Sequence, residues 1–136
     1  LVIREDGSGA IRSTYTKMGA DEKVPMELLM EGDFDAAMEA MLALKKEDPN
    51  NPMVSEGNLN NMGYEFLSIS KTKLAQDVFK VNTMLYPTSS NVYDSYAEAS
   101  MILGETDLAI ENYQKSFSLD PKNINAKNMV EELQKR

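Results

Sequence analysis

From Pro25 onward, apolar residues return every three to four positions, the spacing of helices with one buried face. Met26, Leu29 and Met30 predict a short helix opened by Pro25, whose missing amide would have had no intrahelical acceptor in the first turn. Gly32 ends it. A second helix carries Phe34, Ala37, Met38, Met41, Leu42 and Leu44 as one broad stripe and stops at Glu47-Asp48-Pro49. The third starts at the cap Asn51 and first-turn Pro52 and passes through Leu59, Met62, Phe66 and Leu67 to about Ile69. After a turn at 70–72, the fourth places Leu74, Ala75, Val78, Phe79, Met84 and Leu85 on its stripe and ends at Tyr86-Pro87. The fifth is capped by Asn91, with Asp94 three residues on, and sets Tyr93, Tyr96, Ala97 and Met101 at core spacing before Gly104. The sixth has Leu108, Ala109, Tyr113, Phe117 and Leu119 before Asp120-Pro121. A last helix, about 123–135, bears Ile124, Ala126, Met129, Val130 and Leu133 on one side and Lys127, Glu131, Glu132 and Lys135 elsewhere, as a terminal capping helix requires.

Residues 1–20 follow a different pattern. Leu1, Val2, Ile3 and Ala10, Ile11 flank Asp6-Gly7-Ser8-Gly9, whose glycines suit a tight turn, so a short β-hairpin or a linker remnant of an upstream domain is expected there. The chain opens on Leu1 with no charged-then-apolar leader, which points to a longer precursor. Gly7-Ser8-Gly9 lacks the third glycine and the following helix of a dinucleotide loop.

The helices repeat as well as alternate. Leu74, Ala75, Phe79, Leu85 and Pro87 return 34 residues later as Leu108, Ala109, Tyr113, Leu119 and Pro121, a period that signals stacked helical hairpins completing one another's core. Hairpins are expected at 25–49, 52–87 and 90–121 within one domain, 21–136. Pro49 and Pro87 lie 38 apart, so the second unit's first helix, or the loop before it, holds about one extra helical turn.

Composition narrows what such an array can do. A net charge of −8, with 22 carboxylates against 14 Lys and Arg, disfavours nucleic acid, since phosphate binding needs clustered cations. The acidity is uneven: residues 88–121 hold six carboxylates against Lys115 alone. No apolar run approaches the roughly 20 residues of a membrane span. Cysteine and histidine are both absent, which removes thiolate chemistry, cysteine-based zinc sites and the commonest general base. No catalytic residue, metal site or cofactor is expected.

The spacing resembles the tetratricopeptide repeat, in which a large apolar residue precedes a Leu-Gly pair and an aromatic, then a later Ala, a second aromatic and a closing Pro. The second unit reads Leu59, Met62-Gly63, Phe66, Ala75, Phe79, Pro87; the third reads Tyr93, Tyr96-Ala97, Ala109, Tyr113, Pro121, with Ser100 where an aromatic belongs. The first unit keeps Ala37, Met41 and Pro49, and its opening helix looks truncated. The resemblance implies an all-α superhelix of about two and a half hairpins plus a capping helix, with Gly63, Ala75, Ala97 and Ala109 at close helix crossings and Phe66, Phe79 and Tyr113 in the hollows. It also implies a non-catalytic interaction module whose first helices line a concave groove, nominating Asn60, Tyr64, Leu67 and Ser68 from one unit and Asp94, Glu98, Met101 and Ile102 from the next. None of these is basic, so a neutral or basic protein or peptide fits better than an acidic tail. The alternative is a structural self-association element forming a homodimer.

A second similarity, carried by 59–64, 79–82, Tyr86-Pro87, 91–95 and 112–116, is to the C-terminal repeat region of bacterial serine-hydrolase or esterase proteins. It implies an upstream hydrolase domain on which the repeats could dock, and a bacterial cytoplasmic or periplasmic location. Ser68-Ile-Ser-Lys71 and Ser70-Lys-Thr-Lys73 match the Ser-x-x-Lys spacing of penicillin-recognising enzymes, but the companion motifs are missing and both fall in a helix-to-helix turn. Asp33 and Asp35 lie at a helix start, where carboxylates complement the dipole, rather than along a calcium loop. Most of the ten methionines, Met62, Met84 and Met129 among them, are read as core packing, and Met101, on the groove stripe, is the exception.

Overall fold

A computed structural model describes residues 24–136, and the hairpin expected at 1–20 lies outside them. The described residues form helices α1 (Pro25–Met30), α2 (Phe34–Glu47), α3 (Glu56–Ser68), α4 (Thr72–Leu85), α5 (Ser90–Ile102), α6 (Thr106–Leu119) and α7 (Ile124–Gln134). Short turns make successive helices antiparallel neighbours, α1 with α2, α3 with α4, α5 with α6, and α7 closes the stack on α6. The architecture is an all-α superhelix of helical hairpins with a capping helix.

The four extra residues of the second unit fall before α3, where Pro52–Val54 form a 3₁₀ turn, rather than lengthening α3. Asn51 caps that turn by accepting from Met53 N, and Ser55 then caps α3 by accepting from Asn58 N. Val54 is wholly buried, so the turn docks instead of looping into solvent. At the third unit Asn91 does not cap. α5 begins at Ser90, because the hydroxyls of Ser89 and Ser90 are committed elsewhere, to Glu56 Oε2 at 2.7 Å and Ser116 O at 2.8 Å, leaving the helix start without a side-chain cap.

Three turns between paired helices share one geometry. Gly32 (φ 88°), Ser70 (φ 64°) and Gly104 (φ 82°) each stand just past a first helix in the left-handed region, and the following amide reaches back five residues, Asp33 to Leu28, Lys71 to Phe66, Glu105 to Ser100. Serine carries a Cβ penalty there that glycine does not. Ser70→Gly should therefore raise stability by about 1 kcal/mol, read as a higher urea midpoint at unchanged slope.

The core forms three linked clusters. Leu29, Met38, Met41, Val54, Leu59, Val78, Val81 and Leu85 bind the first and second hairpins; Ala75, Phe79, Tyr96 and Ala99 join the second and third; Ala97, Ala109, Tyr113, Ala126 and Leu133 join the third to α7. Ala75 and Ala109 are both fully buried, 34 residues apart, at equivalent crossings. Ala109→Leu must push α5 or α7 away, and an overpacking loss of roughly 1 to 3 kcal/mol is expected in a melting experiment.

Five residues of the expected apolar stripes are exposed, Met30 at the end of α1 among them. Met84 is 47 % exposed and Leu42 45 %, since Val78, Val81 and Leu85 on α4, and Met38 and Met41 on α2, already complete the inward stripe. Leu119 and Ile124 are exposed at helix ends. At the third unit's opening position Val92 is buried, while Tyr93 is partly exposed and donates its hydroxyl to Pro87 O at 2.9 Å.

Candidate functional site

α3 and α5 lie side by side, and their facing surfaces are polar. Tyr64 donates its hydroxyl to Glu98 Oε1 at 2.8 Å and sits 3.3 Å from Ser95 Oγ; Ser95 in turn donates to Asn60 Oδ1 at 2.7 Å. Asp94 Oδ2 accepts from Asn123 Nδ2 at 2.8 Å, so the cap of α7 is tied to the same face. Of the eight nominated residues, Asn60, Tyr64 and Glu98 thus belong with Ser95 to one hydrogen-bonded set across α3 and α5, and Asp94 pairs separately with the start of α7.

The other four stand apart from it. Leu67 packs on the Phe79–Tyr96 cluster and Met101 on the Ala97–Tyr113 cluster, both partly exposed. Ile102 is exposed at the end of α5. Ser68 is exposed, and its hydroxyl turns back to Glu65 O at 2.7 Å, bonding within its own helix.

Local sequence explains why this face is ordered. Residue 56 and residue 90, 34 apart, both present their backbone carbonyl to a buried side chain of the second helix: Asn82 Nδ2 donates to Glu56 O at 3.0 Å, and Ser116 Oγ to Ser90 O at 2.9 Å. The next unit is latched in a similarly periodic way, Ser89 Oγ to Glu56 and Asn123 Nδ2 to Asp94. Below the wall, Gly63 leaves room for the Phe79 ring, which meets the Tyr64 ring edge-on at 5.1 Å between centroids.

Burial, foremost, raises the Tyr64 phenol to about 12; its contact with Ser95 opposes this, and Glu98 adds to it. The Tyr113 phenol is raised further, first by burial and then by the charges of Asp94, Glu98 and Tyr64. Both phenols are neutral at physiological pH and remain able to donate. Ser95 is a member of the face that residue spacing did not nominate.

No described helix is long and apolar enough to cross a membrane. Neither serine of the Ser-x-x-Lys matches bonds a lysine among the described residues; Lys73 is held by Gln76 Oε1 at 2.9 Å and Asp77 at 3.3 Å. Gln76 also fills the space left where Ser100 replaces an aromatic, donating to Ser100 Oγ at 3.1 Å and Glu105 at 2.6 Å. Depressions of about 480 Å³ beside Tyr93 and Lys115, and of about 450 Å³ beside Phe34 and Gln76, contain none of the eight residues. An open wall between helices encloses little volume, so its chemistry marks it better than its depth does.

Residues 90–123 match the family model described as tetratricopeptide repeat. No curated protein matches the chain. Among solved structures, it is similar to the first TPR of Spaghetti (RPAP3) bound to HSP90 peptide SRMEEVD, at 19 % identity over 82 % of this chain and 85 % of that one, with a TM-score of 0.56. The second TPR domain of human RPAP3 in complex with HSP70 peptide SGPTIEEVD gives 20 % identity, 82 % and 90 % coverage and a TM-score of 0.56. A crystal structure of MamA gives 24 % identity and a TM-score of 0.55 over 82 % of this chain, which spans 63 % of that protein's length. The α5–α6 hairpin thus matches the tetratricopeptide repeat, and the fold built around it is similar to that of tetratricopeptide-repeat domains.

Proposed function

We propose that this chain is a non-catalytic protein-interaction module that binds a neutral or basic peptide or domain along the α3–α5 face. The observation that carries this reading is the composition of that face: Asn60, Tyr64, Ser95 and Glu98 are pre-ordered by mutual contacts, Asp94 is held by Asn123, and no lysine or arginine among the described residues pairs with either carboxylate. A prearranged polar wall flanked by Leu67, Met101 and Ile102 offers direction from hydrogen bonds and affinity from apolar anchors, with little ordering cost on binding. The RPAP3 domains were solved with peptides ending in EEVD. Like-charge repulsion at Asp94 and Glu98 would oppose such a tail here.

Selection from a displayed library of random 12-residue peptides tests the reading. The wild type should enrich binders that a Glu98→Lys variant of unchanged melting temperature holds at least about ten-fold more weakly, because one carboxylate becomes a competing cation. Failure to enrich any peptide over bare matrix would overturn it. Docking on an upstream hydrolase domain is a narrower form of the same proposal, suited to the same face. Self-association is the rival reading, and light scattering that returns a monomer at high concentration would remove it.

A further inference from the structure

We infer that the cleft between the starts of α2, α4 and α6, floored by Tyr96 of α5, binds a free amino acid with an apolar side chain, held as a zwitterion. This site is separate from the proposed peptide face. Tyr96 stands two residues from Asp94 and from Glu98, about 200° around the helix from each, so it leaves α5 on the side away from the polar wall.

Three polar side chains are buried there at positions that the other units fill with apolar ones. Gln76, 3 % exposed, corresponds to Met38 in the first unit and Ile110 in the third. Ser100, wholly buried, stands where the second unit has Phe66, and Tyr96, 9 % exposed, where it has Met62. Buried polar atoms cost stability unless each finds a partner. Gln76 finds Ser100 Oγ at 3.1 Å, Glu105 Oε1 at 2.6 Å and Lys73 Nζ at 2.9 Å, and the Ser100 hydroxyl donates to Tyr96 O at 2.8 Å.

The Tyr96 hydroxyl is the exception, with no hydrogen bond among the described residues. Asn82 Oδ1 is the one fully buried side-chain oxygen or nitrogen found without a partner among them, so the Tyr96 oxygen touches the surface while its ring stays inside. The surface that Tyr96 lines is this cleft, of about 450 Å³. An unused hydroxyl at the floor of a cleft is a group waiting for a ligand.

The rim carries charge of both signs. Lys73, Asp77 and Lys80 follow at one-turn spacing along α4, and Glu105 lines the same cleft from the cap of α6. Lys73 is committed to Gln76 and to Asp77 Oδ1 at 3.3 Å. Lys80 is not: its Nζ stands 5.0 Å from the centre of the Phe34 ring, and no carboxylate among the described residues pairs with it. Asp77 and Glu105 each keep one oxygen without a partner among those residues.

A lone anion entering the cleft would meet Asp77 and Glu105, and a lone cation would meet Lys73 and Lys80. A molecule with both charges on one carbon suits both sets. Its carboxylate takes Lys80 and the Tyr96 hydroxyl, its ammonium takes the free oxygens of Glu105 and Asp77, and its side chain lies on Phe34 and Leu108. Burial, then the charges of Glu105, Asp77 and Glu111, raise the Tyr96 phenol, so it keeps the proton it donates. The volume suits a ligand of this size.

The test is NMR titration of the whole chain with each proteinogenic amino acid at millimolar concentration. Leucine, isoleucine or phenylalanine should bind saturably. The N-acetyl form, without the ammonium, and the amide, without the carboxylate, should each bind roughly ten-fold or more weakly. Tyr96→Phe removes an oxygen that no neighbour uses, so it should melt as wild type does yet bind several-fold more weakly. Lys80→Met keeps an aliphatic stem against Phe34 and should bind roughly ten-fold or more weakly. No saturable binding of any amino acid, equal binding of the N-acetyl or amide form, or full affinity in either variant would overturn the site. A lowered melting temperature for Tyr96→Phe would give the hydroxyl a structural role and overturn it too. None of these outcomes bears on peptide selection by the α3–α5 face.

Discussion

Gly63→Ala should be the most damaging single methyl addition in this chain, costing about 3 kcal/mol and lowering the melting temperature by roughly 10 °C. A Cβ at position 63 would lie 2.7 Å from Phe79 Cδ1 and nearer still to Cε1 and Cζ, well inside van der Waals contact. The ring has nowhere to go, being fully buried between Ala75 and Tyr96 and held edge-on by Tyr64. Relief requires α3 and α4 to separate. Against this, alanine gains about 1 kcal/mol of helix propensity over glycine, so the clash must exceed that before any loss appears. Gly57→Ala isolates the propensity term, because nothing lies within 4 Å of a Cβ in the first turn of the same helix. It should be neutral or stabilising by up to about 1 kcal/mol. Equal melting temperatures for the two variants would refute the tight crossing on which the α3–α4 hairpin depends.

Asn82→Asp is expected to cost about 3 kcal/mol or more at neutral pH, although it changes one atom. Asn82 is fully buried; its Nδ2 donates to Glu56 O, and its Oδ1 has no partner. The substitution sets a second acceptor against the Glu56 carbonyl and buries a charge that no neighbour compensates. Burial must raise the folded pKa of the introduced carboxyl above its unfolded value of about 3.9. When protonated, that carboxyl can donate to Glu56 O, so the deficit relative to wild type should be smallest below about pH 4 and widen as pH rises through the elevated folded pKa. Urea unfolding at several pH values reads this directly. Asn82→Ser copies the arrangement 34 residues on, where Ser116 donates to Ser90 O, and should stay within about 1 kcal/mol of wild type because the orphaned acceptor disappears with the lost volume. A pH-independent deficit for Asn82→Asp would mean the site is wetter than its burial implies.

Both positions show what a one-dimensional pattern can and cannot reveal. The 34-residue recurrence exposed the hairpins, the small residues at the crossings and the large ones in the hollows, because burial on a helix face has a fixed period and tandem units repeat it. The resemblance to the repeat family then nominated Asn60 and Tyr64 on α3 and Asp94 and Glu98 on α5. Periodicity says nothing about which polar atoms find each other across 30 residues or more. Asn82 reads as an interruption of the α4 stripe, and only the fold reveals the Glu56 carbonyl waiting for it. Met84 and Leu42 show the converse error: both fit an apolar stripe, but each stripe was wider than the surface available to cover it.

Ser68 and Ser95 mark the boundary within the candidate site. Ser68 shares the register of its neighbours, yet its hydroxyl bonds its own helix, a competition that spacing cannot resolve. Ser95 carries no such register signal, and its hydroxyl becomes relevant only because α3 brings Asn60 within 2.7 Å of it. The helices, their pairing and the acidic character of the α3–α5 face follow from local periodicity and charge. The partners of each polar atom were decided by tertiary structure, because such contacts depend on how far apart the helices settle around Gly63, Ala97 and the rings they admit.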